Sequence, residues 1–248
     1  MSKIISIAGK GGTGKSTTAA LIVDHLVKSG KGNVLAIDAD PNSTLAQILG
    51  AQDEQKSIVE IADGLSKDKA SSSGIGKASL LEYKIHEAVS EQEGFDLLTM
   101  GRPEGPGCYC YINSLLKDVI TKLSKSYDYV VIDNEAGMEH LSRRTARKAD
   151  VIFIISDFTA IGIRTAKRIY DLIKDLKLEY KDIYLIANKV DGNIKELSDE
   201  IDRSGLTLIG DLPYSSQIYD SSLNGGPLGG LKDKKIIDSI SKICKKAC

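Results

Sequence analysis

The sequence has no tryptophan, only three phenylalanines and five prolines, and no apolar run long enough to cross a bilayer. The missing run excludes a chain held in a membrane by its own spanning helices. Charge of one sign is also missing. Lys and Arg number 33 against 34 Asp and Glu, a formal net charge of -1, so the bulk charge offers no footprint for nucleic acid. Cysteine is scarce, at four residues. Met1-Ser2-Lys3 leads straight into an apolar run, so no targeting segment is expected and the compartment is expected to be the cytoplasm. There, four cysteines are thiols or metal ligands rather than structural disulfides. What is present, 42% hydrophobic and 27% charged residues over 248 positions, suits a packed soluble core of one large α/β domain or two small ones.

The chain is organised around its start. Ile4 to Ala8 reads as a buried strand, a glycine-rich turn follows, and a helical pattern runs from Ser16 to Gly30. Between them Gly9-Lys10-Gly11-Gly12-Thr13-Gly14-Lys15-Ser16-Thr17 fits the phosphate-binding pattern G-x-x-x-x-G-K-[ST] without a mismatch. Glycines let successive backbone N–H groups turn toward one phosphate, and a helix start favours the anion. Lys15 is expected on the β/γ-phosphates and Ser16 on Mg²⁺.

Asn33 to Asp38 reads as the second strand and ends in Asp38-Ala39-Asp40-Pro41. Two carboxylates beyond a strand end, opposite a phosphate loop, suit a hydrated magnesium ion and an attacking water. A helix cap followed by a turn is the plainer reading. The span 50–95 carries short helical patterns (Ser57 to Leu65, Leu80 to Val89) and a Ser/Gly stretch at 69–76, and is expected to be an insertion on a single domain of residues 1–248. Further strands are expected at Phe95–Met100, Tyr129–Asp133, Val151–Ser156, Asp182–Asp191 and Leu206–Tyr214. Asp133, at a strand end, is a candidate for magnesium's water shell. Ala136-Gly137 is a candidate switch, where a backbone N–H senses the γ-phosphate.

Cys108-Tyr-Cys110 lies between a Gly/Pro-rich loop and a helical pattern through Leu115, Leu116, Val119, Ile120 and Leu123. A helix start stabilises thiolates. Two thiolates are too few for a four-coordinate metal, and a twofold dimer would supply four. A buried or redox-active pair is the alternative. His140 is read as a cap or surface residue. Asn188, ending a strand, is placed to bond a purine, and Asn188-Lys189-Val190-Asp191 also matches the guanine tetrad of GTPases. The tail from Asp233 to Cys248 is either the terminal core helix or a basic membrane anchor; it holds no Trp or Phe, which favours the core. Cys244 and Cys248, four apart, are expected as exposed, uninvolved thiols.

The loop K-G-G-T-G-K-S resembles the deviant phosphate loop of septum-site regulators, nitrogenase iron proteins and arsenite-pump ATPases. The resemblance implies that Lys10 reaches the nucleotide of a second protomer in a homodimer. It implies that Asp40 activates the hydrolytic water and Asp38 supports the magnesium shell. It also implies that Asn188 reads adenine, so ATP is favoured over GTP, and that Leu212 and Pro213 line the base. With Gly107-Cys108-Tyr109-Cys110 and Ala136-Gly137-Met138-Glu139-His140-Leu141-Ser142-Arg143 added, the chain resembles CooC-type ATPases serving carbon monoxide dehydrogenase or acetyl-CoA synthase. That resemblance implies a mostly parallel P-loop NTPase fold, ATP/ADP with Mg²⁺, and Ni²⁺ held at Cys108 and Cys110, for which Zn²⁺ substitutes. It gives no reason to expect nucleic acid or a membrane as a partner. An iron–sulfur carrier and a membrane-bound positioning ATPase are the competing readings. No cysteine stands between Asp133 and Arg147, where the nitrogenase iron protein needs one.

Overall fold

The computed structural model describes residues 2–51, 56–67, 87–102, 120–136 and 148–248. They form an eight-stranded sheet of order β3-β4-β2-β5-β1-β6-β7-β8. Its strands are β1 (Lys3–Gly9), β2 (Val34–Ala39), β3 (Ser90–Gln92), β4 (Phe95–Thr99), β5 (Tyr129–Asn134), β6 (Lys148–Asp157), β7 (Glu179–Val190) and β8 (Leu208–Pro213). Every neighbouring pair is parallel except the β3–β4 hairpin. Among the described residues the helices used below are α1 (Lys15–Ser29), α2 (Thr44–Leu49), α3 (Ile58–Lys67), α4 (Ala160–Asp175), α5 (Ser198–Ser204), α6 (Ser216–Asn224) and α7 (Lys234–Ala247). The α/β class with a mostly parallel, helix-flanked sheet is therefore as expected.

Central strands covered on both faces need continuous apolar runs. Ile5, Ile7 and Ala8 of β1, Val130 to Ile132 of β5 and Ile152 to Ile155 of β6 are all buried. On one face α1 buries Ala19, Ile22, Val23 and Leu26, and stops at Gly30, whose left-handed φ of 62° returns its N–H to the Val27 carbonyl. On the other face α3 packs Ile58, Val59 and Ile61 with β2, β4 and β5, and α4 packs Ile163, Ala166, Ile169 and Ile173 with β6 and β7. β1 lies between β5 and β6, so the loop leaving it opens at the carboxyl edge, where such sheets bind ligands.

Three expectations change. Residues 90–92, inside the expected insertion, form the edge strand of the sheet, and α3, also inside it, contributes to the core. The short helices α2 and α5 lack a long periodic pattern and were not foreseen. In the tail, Asp233 caps α7 by accepting from the Lys235 N–H at 3.1 Å, and Ile236, Ile240, Ile243, Cys244 and Ala247 are buried. The helix approaches β8 so closely that a Cβ on Gly210 would lie 2.8 Å from Ile243 Cγ1. The apolar face a membrane anchor would need is thus spent on the core, and Cys244, at 4% exposure, is no surface thiol. Among the described residues, no helix is long and apolar enough to cross a membrane.

If α7 is core, Ile240→Ala leaves a cavity between it, α1 and β8. The substitution is expected to lower unfolding free energy by about 2–5 kcal/mol with the urea m-value unchanged. A loss below about 0.5 kcal/mol would place the helix outside the core.

Candidate functional site

The loop between β1 and α1 is shaped by close contacts. Gly14 has φ 90°, and a Cβ there would lie 2.2 Å from Asn188 Nδ2, so both conformation and space demand glycine. Asn188, at the end of β7, donates to the Thr13 carbonyl at 2.7 Å, and Lys189 Nζ donates to the Gly12 carbonyl at 2.7 Å. Lys189 is itself left-handed, with φ 56°, and pairs with Asp157 at 3.3 Å. Thr13 turns inward, its hydroxyl donating to the Lys10 carbonyl at 2.9 Å. The carbonyls of the loop are therefore tied back. α1 starts with no acidic residue in its first turn and no side-chain cap, leaving its positive end to the loop.

Lys15 is buried at 6% exposure. Burial lowers its pKa, while Asp133, Asp40 and Glu135 oppose that shift. Asp38 and Asp133 are register partners on β2 and β5, and each is 0% exposed. Asp38 accepts from the N–H groups of Asp40 and Ala46, both at 3.1 Å, and so holds the start of α2. Burial raises its pKa to about 7, against the pull of those two N–H groups, with Asp133 adding to the rise. Neither carboxylate oxygen of Asp133 has a hydrogen-bond partner of ordinary geometry in the structure. Burial raises its pKa to about 6, and the nearby Ser16 hydroxyl and Lys15 ammonium restrain the rise. A buried, unpartnered carboxylate facing Ser16 fits a hydrated divalent cation. Asp40 is half-buried and folds its own turn, accepting from the Asn42 backbone and side chain at 2.9 Å each.

Part of this set borders a cavity of about 610 Å³. Gly11, Gly12, Gly14, Lys15, Ser16, Thr17, Asp40, Asn188, Leu212 and Pro213 line it, all foreseen from sequence. Ala136 lines it too, beside Gly11. Thr13, Asp38 and Asp133 stand behind this surface. Lys10 is exposed at the mouth of the loop. Sequence reasoning missed Thr44, Ile48, Tyr214, Tyr219 and Lys189 in the lining, and Asn134, whose buried amide donates to Ser6 Oγ at 2.8 Å and the Ile7 carbonyl at 2.7 Å. The Asn-Lys-Val-Asp tetrad carried a signal for Lys189; nothing local marked the others. Asp191, the guanine reader of that tetrad, is exposed and does not border the cavity. Cys108, Cys110, Gly137 and His140 lie outside the described residues.

The CobQ/CobB/MinD/ParA nucleotide-binding domain matches residues 4–228. An ATP-binding protein of Methanocaldococcus jannaschii is 43% identical, over 98% of this chain and 99% of the relative. The carbon monoxide dehydrogenase accessory protein CooC of Rhodospirillum rubrum is 33% identical, over 89% of this chain and 87% of its own length. In fold, the chain is similar to the septum site-determining protein MinD of Pyrococcus horikoshii, solved with Mg-ADP. That similarity has TM-score 0.71 and 21% identity over 99% and 96% of the two chains.

The raised carboxyl pKa values have a stability consequence. The folded state holds these protons more tightly than the unfolded chain does. Stability from Asp38 and Asp133 is therefore full below about pH 4 and is lost as pH rises through about 6 and 7. Asp133→Asn removes one such charge. At pH 8 without nucleotide, the variant is expected to be more stable than the parent by roughly 1–3 kcal/mol, a gain that shrinks toward pH 4. Denaturant melts at both pH values check this; a variant less stable at pH 8 contradicts it.

Proposed function

The chain belongs to the family of the CobQ/CobB/MinD/ParA nucleotide-binding domain, and from that premise we propose that it hydrolyses ATP to drive metal delivery to a nickel enzyme. The client we propose is carbon monoxide dehydrogenase or acetyl-CoA synthase. The observation that carries the nucleotide part is Asp133, buried without a partner beside Ser16 and Lys15 at the mouth of α1. The metal part is supported by Cys108 and Cys110 and by the similarity to the R. rubrum accessory protein.

The residues divide the work. Backbone N–H groups from Gly11 to Thr17 and the α1 terminus hold the phosphates, and Lys15 meets the β/γ-phosphates. Ser16 with Asp133 and Asp38 would hold Mg²⁺, which when bound supplies charge neutralisation on the phosphate oxygens. Asp40 orients the attacking water. Asn188 keeps one amide hydrogen and one lone pair free for a purine edge, after bonding Thr13 and the Lys189 N–H. Leu212 and Pro213 close the base side. Asp191 stands away from the cavity, which favours adenine. Lys10 crosses to the nucleotide of a second protomer, so hydrolysis accompanies homodimer closure. Closure sets the separation of the two Cys108/Cys110 pairs. Nickel, or zinc in its place, is bound by four thiolates across the dimer and released to the client as the switches relax. The work is done only through the different affinities of ATP and ADP for open and closed states.

Three variants separate these roles. Asp40→Ala is expected to bind ATP and lose about 10²-fold or more in kcat. Lys10→Ala should lose a similar factor together with ATP-dependent dimerisation in sedimentation. Cys108→Ser/Cys110→Ser should keep hydrolysis but lose the one nickel or zinc ion per two chains expected of the parent. Unchanged metal content in that double variant would refute metal delivery through these cysteines and leave the ATPase standing.

A further inference from the structure

Strand β6 ends in a carboxylate that none of the roles above uses. Asp157 closes that strand, and its register partner is Asn188 on β7. Its backbone is clamped. The Asp157 carbonyl accepts from the Ser156 hydroxyl at 3.0 Å and from the Thr159 N–H at 2.8 Å. A Cβ on Gly162, in the first turn of α4, would lie 2.5 Å from that carbonyl. The Phe158 N–H then reaches across to the Asn188 carbonyl at 3.2 Å. Although the Asp157 side chain is 40% exposed, its Oδ1 is buried and has no hydrogen-bond partner of ordinary geometry. The group it faces is the Lys189 ammonium, at 3.3 Å.

Lys189 is held from two sides. Its Nζ donates to the Gly12 carbonyl at 2.7 Å while pairing with Asp157, and its backbone keeps a left-handed φ of 56°. A lysine stays in that conformation only where its surroundings impose it. The Gly12–Thr13 peptide needs such a hold. Gly12 has φ 80°, and among the described residues nothing stands within 4 Å of where its Cβ would be. Packing therefore does not fix this peptide, and the glycine lets it rotate. The carbonyl and the N–H of a trans peptide point opposite ways. With the ammonium on the Gly12 carbonyl, the Thr13 N–H turns away from Lys189, and its bond to the Lys10 carbonyl is a long 3.4 Å. Reversed, the same peptide would offer the phosphate an oxygen in place of a hydrogen.

We propose that Asp157 is a positioning residue for the nucleotide: its carboxylate holds the Lys189 ammonium on the Gly12 carbonyl and so fixes the peptide that presents the Thr13 N–H to the phosphates. This rests on the reading of the loop as a nucleotide-phosphate site. Asp157 does not border the cavity and acts through Lys189, which does. The role has a sign opposite to that of plain charge repulsion. A carboxylate near an anion site repels the ligand, so neutralising it would tighten binding. A carboxylate that holds Lys189 in place helps the ligand, so neutralising it weakens binding. Without it the ammonium is free to leave the Gly12 carbonyl, and the peptide is free to turn.

The full-length parent, Asp157→Asn, Lys189→Met and the double variant test this, by titration calorimetry with Mg-ADP and with pyrophosphate, after thermal melts confirm that each is folded. Asp157→Asn is expected to raise Kd for both ligands by about three- to fivefold. In hydrolysis the loss should fall on KM for ATP rather than on kcat, because the loop holds the phosphates alike before and during reaction. In the Lys189→Met background the same substitution should weaken binding no further. Unchanged or tighter binding in Asp157→Asn would overturn the role. Equal weakening in both backgrounds, the mark of a general loosening of the fold, would also overturn it. So would weakening confined to Mg-ADP, which would put the effect at the base. A parent that binds neither ligand would remove the nucleotide reading itself, and the role with it.

Discussion

Two carboxylates side by side in the sheet, both fully buried, are the constraint on which this molecule depends. Parallel pairing of β2 with β5 puts Asp38 opposite Asp133 at the carboxyl edge, and pairing of β5 with β1 puts Asp133 opposite Ile7, two residues before the loop begins. The same core that stabilises the sheet desolvates both acids. Buried charge is costly unless paired. Asp38 is compensated by the N–H groups of the turn and of α2. Asp133 is compensated only in part, by Lys15 and Ser16. Lys15 is in turn buried, which lowers its pKa, and Asp133, Asp40 and Glu135 oppose that shift. A phosphate with its cation would complete every member of this set at once, so nucleotide binding and the expected loss of stability at high pH without it would have a single origin.

The loop around this set is held from the far half of the sheet. β7 ends in Asn188 and Lys189, which grip the carbonyls of Thr13 and Gly12. Lys189 adopts a left-handed backbone to do so, a conformation that costs a non-glycine residue about 1 kcal/mol or more. With those carbonyls tied back, the N–H side of the loop is left to the cavity. The opposite wall includes α2, whose start hangs from Asp38 and whose Leu45 packs in the core; Thr44 and Ile48 of α2 border the same cavity as Tyr214 and Tyr219. A change in the charge on Asp38 therefore acts directly on the start of α2.

Much of this was legible in the sequence because it rests on short-range rules. The phosphate loop declares itself by residue type and spacing, and the buried strands by unbroken runs of Ile, Val and Leu. Gly14 and Asn188 were both legible as site residues, but their mutual contact joins positions 174 apart by number, and no local pattern encodes it. Cys244 was misjudged for a related reason. Spacing put it on one face with Cys248, and only the packing of α7 on α1 and β8 shows that this face is the inner one. α2 and α5 are too short to display a period, and β3 is a three-residue strand recognisable only by its partner. Tyr214 and Tyr219 are each about half exposed while bordering the cavity, and no local pattern marks that position.

The most direct test of the central claim is proton release on binding Mg-ATP. It is measured by titration calorimetry near pH 6.5 in buffers of different ionisation enthalpy, and repeated at pH 8. With Asp38 and Asp133 titrating near 7 and 6, the nucleotide-free protein is partly protonated at the lower pH. Arrival of the cation should then expel protons, and at pH 8 the release should vanish. Binding that displaces no proton at pH 6.5 would mean that these carboxylates are not what the nucleotide and its metal complete.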